Sequence, residues 1–170
     1  AGHVVAVDVG YGQIAWRLRE DPRVTVLERT NVRTLDPAAV APAPGLVVGD
    51  LSFISLTLVI PSLVRAAAAE ADFLLLVKPQ FEVGRERLGA GGVVRDTRLH
   101  AETVMAVSAC ARSHGLDVLA AIASPLPGPA GNVEYFLHMR AGSGQEPDGG
   151  LESAVRSAIA TGPAGKEARK

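Results

Sequence analysis

Cysteine is almost absent: Cys110 is the single thiol in 170 residues. No internal disulfide can form, which agrees with a reducing, cytoplasmic setting. A surplus of one charge is also lacking, with 17 Lys and Arg against 18 Asp and Glu. The chain therefore has no global basic footprint of a self-sufficient nucleic-acid binder, and any RNA contact must be local or supplied by another module. Clustered metal ligands are missing too. His3, His100, His114 and His138 are scattered, none at ligand spacing from a Cys or an acid, so no metal is expected. Long apolar runs do not occur either. The longest stretch, Leu56 to Val64, contains Pro61 and falls short of the ~20 residues a membrane-spanning helix needs. No charged n-region leads into an apolar h-region, so neither secretion nor a membrane partner is indicated.

With 48% hydrophobic residues, the chain can bury the core of one ordinary domain, with a tail. Six short aliphatic or β-branched runs read as strands: Val4 to Val9, Val24 to Glu28, Leu46 to Asp50, Phe73 to Val77, Val118 to Ala123 and Val133 to Met139. Helical spacing covers Gln13 to Glu20, Leu56 to Ala69 and Thr97 to His114, with Ser55 as a cap for the second and Gly115 as a stop for the third. This alternation predicts an α/β domain with a mostly parallel sheet. The Pro-rich turn from Ser124 to Asn132 leaves no room for a crossover helix, so the last strand is expected to be antiparallel. Residues 1–140 form the predicted domain. Residues 141–170, rich in Gly, Ser, Pro and Ala, read as a mobile low-complexity tail with a short helix at Leu151 to Ala160.

Parallel strands bring the residues at their C-terminal ends to one edge of the sheet, and an antiparallel strand brings its first residues there. Asp50, Lys78 and Glu134 are therefore expected to converge where open α/β sheets bind ligands. Taken singly, each has a plainer reading: a capping acid, a snorkelling lysine and a solvated strand-start residue. Their convergence is what favours chemistry.

The turn Gly10-Tyr11-Gly12-Gln13-Ile14-Ala15, with Glu28 ending the next strand, fits a dinucleotide site in which glycines admit a pyrophosphate. Asp8 stands just before that loop, where its charge opposes phosphate. The alternative makes Asp8 the acid that binds a ribose diol, with Thr30 and Asn31 near an adenine. Arg85, Arg87, Arg95 and Arg98 lie in or beside a loop with Gly84, Gly89, Gly91 and Gly92. They fit either a solvated loop or a flap that meets backbone phosphates.

Four segments together, Val4 to Gln13, Asp50 to Ser55, Val77 to Gly84 and Gly131 to Phe136, resemble the TlyA family of FtsJ-like ribosomal RNA ribose methyltransferases, often labelled hemolysin A. The resemblance covers roughly residues 1 to 140. It implies a Rossmann-like methyltransferase sheet, S-adenosylmethionine as methyl donor, a ribose 2′-hydroxyl in ribosomal RNA or a ribosomal subunit as acceptor, and Asp8, Thr30, Asn31 and Asp50 around the donor. Asp50, Lys78 and Glu134 match the last three members of the family's Lys-Asp-Lys-Glu tetrad, with Lys78 as the proton acceptor. The family's first strand, its glycine-rich loop, the first tetrad lysine and an S4-type RNA-binding domain have no counterpart, so the chain reads as an N-terminally truncated member. Carboxylates beside an amine favour its charged form, so weak or no activity is expected of the chain alone. Competing readings are a nicotinamide-dependent oxidoreductase built on Gly10, Gly12 and Glu28, a non-catalytic fragment, and a membrane-active hemolysin.

Overall fold

Each predicted aliphatic run forms a strand in the computed structural model, which describes residues 1–128, 130–142, 147 and 149–167. The strands are β1 (Val4–Val7), β2 (Val24–Leu27), β3 (Leu46–Gly49), β4 (Asp72–Val77), β5 (Leu116–Ala123) and β6 (Tyr135–Ala141). The helices are α1 (Trp16–Arg19), α2 (Ile60–Ala66), α3 (Pro79–Glu82), α4 (Thr97–Ser113), α5 (Leu151–Thr161) and α6 (Pro163–Glu167). The long helix expected from Leu56 is broken into a 3-10 turn at Leu56–Leu58 and then α2. Pro61 explains the break, because a residue without an N–H is tolerated only in the first turn of a helix. Ser55 does cap this segment, accepting from Thr57 N–H. Asp96 caps α4 in the same way, and Gly115, at φ +81°, ends it.

Four strands form one sheet in the order β3-β4-β6-β5, with β3 parallel to β4 and β6 antiparallel to both its neighbours. The last strand thus reverses, as the short Pro-rich turn requires. Phe73, Leu75, Val77, Tyr135, Leu137 and Met139 alternate into the main core from β4 and β6. At the opposite end of this strand pair, Asp72 accepts from His138 Nε2 at 2.8 Å and from Arg140 at 2.7 and 2.9 Å. Those bonds join the same residues that the ladder sets in or beside register.

Among the described residues the strands fall into two sheets, β1 and β2 pairing only with each other as a separate parallel two-stranded sheet. A cavity of about 490 Å³ lies between the edges of β1 and β3. Within the stretch expected as a tail, the short helix expected at Leu151 to Ala160 is present as α5 and packs on β5 and α4. Leu151, Val155, Ala158 and Ile159 are buried on one face of it, at a spacing that makes an apolar stripe. Burying each contributes roughly 1–3 kcal/mol. The parts of that tail at 143–146, 148 and 168–170 lie outside the described residues.

Candidate active site

Lys78 follows the last residue of β4 and precedes Pro79, which opens α3. A residue before proline is pushed out of the helical region, and Lys78 is extended at φ −112°, ψ 100°. Its Nζ lies 2.7 Å from Asp50 Oδ1 and donates to Ser52 Oγ at 3.1 Å. Lys78 is only 9% exposed, whereas the Asp50 side chain is 71% exposed. A buried amine is thus anchored to a carboxylate that faces solvent, the pairing a buried cation needs.

Glu134 is buried just before β6 but makes no direct bond to Lys78. Its carboxylate accepts from Gln80 Nε2 at 3.1 Å and lies against Gly128, where a Cβ would stand 2.7 Å from Oε1. Gln80 Oε1 is the one buried side-chain N or O atom without a partner among the described residues. The expected trio is therefore an Asp50–Lys78 pair beside a Gln80–Glu134 pair, two residues apart on the chain at Lys78 and Gln80.

Ser52, Gln80 and Phe53 escape sequence reasoning. Phe53 sits at φ +62°, a conformation rare for a residue with a bulky side chain, and is 91% exposed. Its ring lies 5.1 Å from that of Phe81, tilted by 47°. Glu82 ties down the same loop, accepting from Ser55 Oγ and from Leu56 N–H at 2.8 Å. Burial pushes the Glu82 carboxyl above its ordinary range against the pull of those two donors.

The glycine loop after α3 is tied to the start of β6. Asn132 donates to Gly92 O at 3.1 Å and accepts from Val94 N–H at 3.0 Å. His100 Nε2 lies 2.9 Å from Val94 O, and its Nδ1 lies 2.8 Å from the Tyr135 hydroxyl. Burial pushes the Tyr135 phenol far up, so it stays protonated. Of the loop arginines, Arg87 pairs with Glu102 and Arg98 with Asp96, while Arg95 donates to Ala90 O. Arg85 opens a 3-10 turn after Gly84.

At the end of β1, Asp8 accepts from Gly10 N–H at 2.6 Å through one oxygen, and its second oxygen meets no donor among the described residues. Glu28 accepts from Gly12 N–H and from Arg19, both at 2.7 Å. The Arg19 bond, with help from the backbone, holds the Glu28 carboxyl below its usual range. The turn's amides are thus spent on two carboxylates, the reverse of a pyrophosphate cradle. This arrangement argues against the nicotinamide reading. Thr30 donates to Glu28 O, and Asn31 accepts from Arg33 N–H, capping the turn that follows. Among the described residues, no helix is long and apolar enough to cross a membrane.

The sequence model of the FtsJ-like methyltransferases matches residues 1–141. The 16S/23S rRNA (cytidine-2′-O)-methyltransferase TlyA of Mycobacterium tuberculosis is 56% identical over 164 residues, which cover 96% of this chain and 61% of that protein. A solved hemolysin-labelled protein from Streptococcus thermophilus superposes with a TM-score of 0.90 at 35% identity, covering 99% of this chain and 60% of the other. A SAM-dependent methyltransferase from Methanosarcina mazei shares the fold alone, with a TM-score of 0.53 at 11% identity and 82% of each chain covered. The chain thus spans about three-fifths of the length of the first curated relative it matches.

Proposed function

The chain belongs to the FtsJ-like methyltransferase family, and from that premise we propose that it methylates a ribose 2′-hydroxyl in ribosomal RNA with S-adenosylmethionine as donor. The observation that carries this reading is the buried Lys78 amine, fixed by Asp50 and Ser52 where β3 and β4 end. A 2′-hydroxyl must lose its proton as the new C–O bond forms, and a positioned amine is a group that can take it.

Asp8 and Asp50 fit a donor of this kind. The unpartnered oxygen of Asp8 suits a ribose diol, and the exposed Asp50 carboxylate suits the ammonium of a methionine end. Bound there, S-adenosylmethionine would supply an electrophilic methyl group. Thr30 and Asn31, in the turn after β2, belong to the adenine end in this reading. In this reading Lys78 takes the 2′-hydroxyl proton only after its own ammonium, paired here with Asp50, has lost one, which is why little activity is expected of the chain alone; Asp50 and Ser52 set the direction of its Nζ. Gln80 and Glu134 hold the neighbouring wall, with Gln80 Oε1 available to a substrate donor. The exposed Phe53 ring offers an unstacked base a face to lie on. Arg85, exposed in the turn after Gly84, would meet backbone phosphate in this reading.

Labelled methyl transfer to purified ribosomal subunits, followed by digestion to nucleosides, tests this. The expected product is a 2′-O-methyl nucleoside. Lys78→Ala and Lys78→Arg should each lower turnover by about 10²- to 10⁴-fold while circular dichroism stays unchanged. Label found on a base, or full turnover by Lys78→Ala, would overturn the reading.

A further inference from the structure

Lys78, Phe81 and Glu82 stand within five residues of one another, at the end of β4 and in α3, and all three reach the same loop. That loop, residues 50–55, leads from the end of β3 to the 3-10 turn at Leu56–Leu58. Among the described residues, none of residues 50–54 makes a backbone–backbone hydrogen bond, and none of residues 50–55 is buried. Leu51 and Ile54 lie only partly against the core. The loop is therefore held largely by side chains from outside it. Lys78 Nζ bonds to Asp50 and Ser52, the Phe81 ring meets Phe53, and the Glu82 carboxylate accepts from Ser55 Oγ and Leu56 N–H.

These ties are not equivalent. Asp50 and Phe53 both stand well out in solvent, where ion pairs and ring contacts hold weakly. The Lys78 bonds also involve the group whose proton changes hands in the reaction. Glu82 differs on both counts: each of its oxygens takes one donor, and one of those donors belongs to the buried Leu56. Ser55 Oγ is itself fixed, accepting from Thr57 N–H at 3.1 Å and lying 2.7 Å from Thr57 Oγ1.

We propose that Glu82 is a positioning residue of the site: it clamps the loop onto α3, so that Asp50 and Ser52 stand at the Lys78 amine. Its carboxylate acts through the loop rather than on the reacting atoms. The chemistry given to Lys78 rests on the methyl-transfer reading, whereas the clamp does not. Without this carboxylate, Leu56 N–H loses its acceptor in a buried place, and the loop is free to carry Asp50 and Ser52 away from Nζ. An amide can stand in for it. In Glu82→Gln the side-chain oxygen still accepts from Leu56 N–H, and the new N–H donates to Ser55 Oγ. The Ser55 proton then turns to Thr57 Oγ1, since either hydroxyl of that pair can be the donor.

The test is acetylation of the folded chain with acetic anhydride, read lysine by lysine with peptide mass spectrometry. The sequence holds three lysines, Lys78, Lys166 and Lys170, so the other two report the dose of reagent. Lys78, at 9% exposure, should react slowly in the unchanged protein. Glu82→Ala should raise its rate at least about tenfold, the effect of losing two hydrogen bonds to a charged acceptor, while Glu82→Gln should stay within about threefold of the unchanged protein. Val155→Ala removes buried surface in α5, which packs on β5 and α4, and should lower stability with Lys78 still protected. Ser55→Ala takes away one of the two donors and should give an intermediate rise, which decides the matter should Glu82→Ala not fold. A Lys78 rate that stays low in Glu82→Ala and Ser55→Ala would overturn the proposal. So would an equal rise in Val155→Ala, the mark of a general loosening, or a rate in Glu82→Gln as high as in Glu82→Ala. No methyl donor or RNA is present, so a negative result strikes the clamp alone, and a base-labelled RNA product would strike the methyl-transfer reading alone.

Discussion

Phe53 shows how a single side chain can be held where its own backbone objects. Left-handed geometry costs a residue of this type about 1–2 kcal/mol, and the Phe53–Phe81 contact returns about 1 kcal/mol. Phe53→Asn removes the ring and relieves the backbone together, because Asn visits that region more readily. The two effects nearly cancel, so a urea titration should move by no more than about 1 kcal/mol. If the ring receives an unstacked base, the same variant should raise KM for the RNA substrate with donor binding unchanged. Glu82 gives a second test at this scale. Its carboxyl is raised in the folded protein, so as pH rises past the unfolded value near 4.5 the unfolded chain gives up its proton first. Stability should therefore fall as pH climbs above that value, and the fall should vanish in Glu82→Gln. Thermal melts across the acidic range would show it. Asp50 and Lys78 were legible in the sequence because an acid and an amine at strand ends stand out. Ser52 and Gln80 were not, since a hydroxyl or an amide looks like any other loop residue until its partner is known.

At the scale of elements, the antiparallel β4–β6 pair is stapled at one end by Asp72. His138 and especially Arg140 hold the Asp72 carboxyl at about 2. A depressed acid stabilises the fold above its unfolded value, and that contribution disappears as pH falls from about 3.8 toward 2. Asp72→Asn should therefore lower stability at neutral pH and flatten the acid limb by the same amount, a small one because the pair is partly exposed, with the two proteins converging near pH 2. The strands were readable as aliphatic runs and the reversal of β6 as a turn too short for a crossover. Helix α5 was partly hidden: its Gly- and Ala-rich surroundings resemble a tail, and only the spacing of Leu151, Val155, Ala158 and Ile159 reveals a packed face.

For the molecule as a whole, the divided sheet is legible only through the resemblance, which finds no counterpart for the family's first strand, and not from the strand runs themselves. Strand positions are local properties, whereas the choice of neighbour depends on residues far away in the chain. The β1–β2 unit rests on a small cluster of Leu35, Val40 and Ala66, with Val5, Val7 and Leu27 packed against it, while β4 and β6 lie inside a much larger core. Amide hydrogen exchange should therefore be fast in β1 and β2 and slow in β4 and β6. Equal protection of the two sets would show that the sheets open as one unit.

The placement of β6 also sets an order of events during synthesis. Among the described residues it is the last strand to be made, yet it lies between β4 and β5. A nascent chain that has only reached Ala123 holds two aliphatic strands whose common neighbour does not yet exist. The four-stranded sheet can close only after residue 141 has emerged, and a chain stalled before that point is left with its central hydrogen bonds unmade.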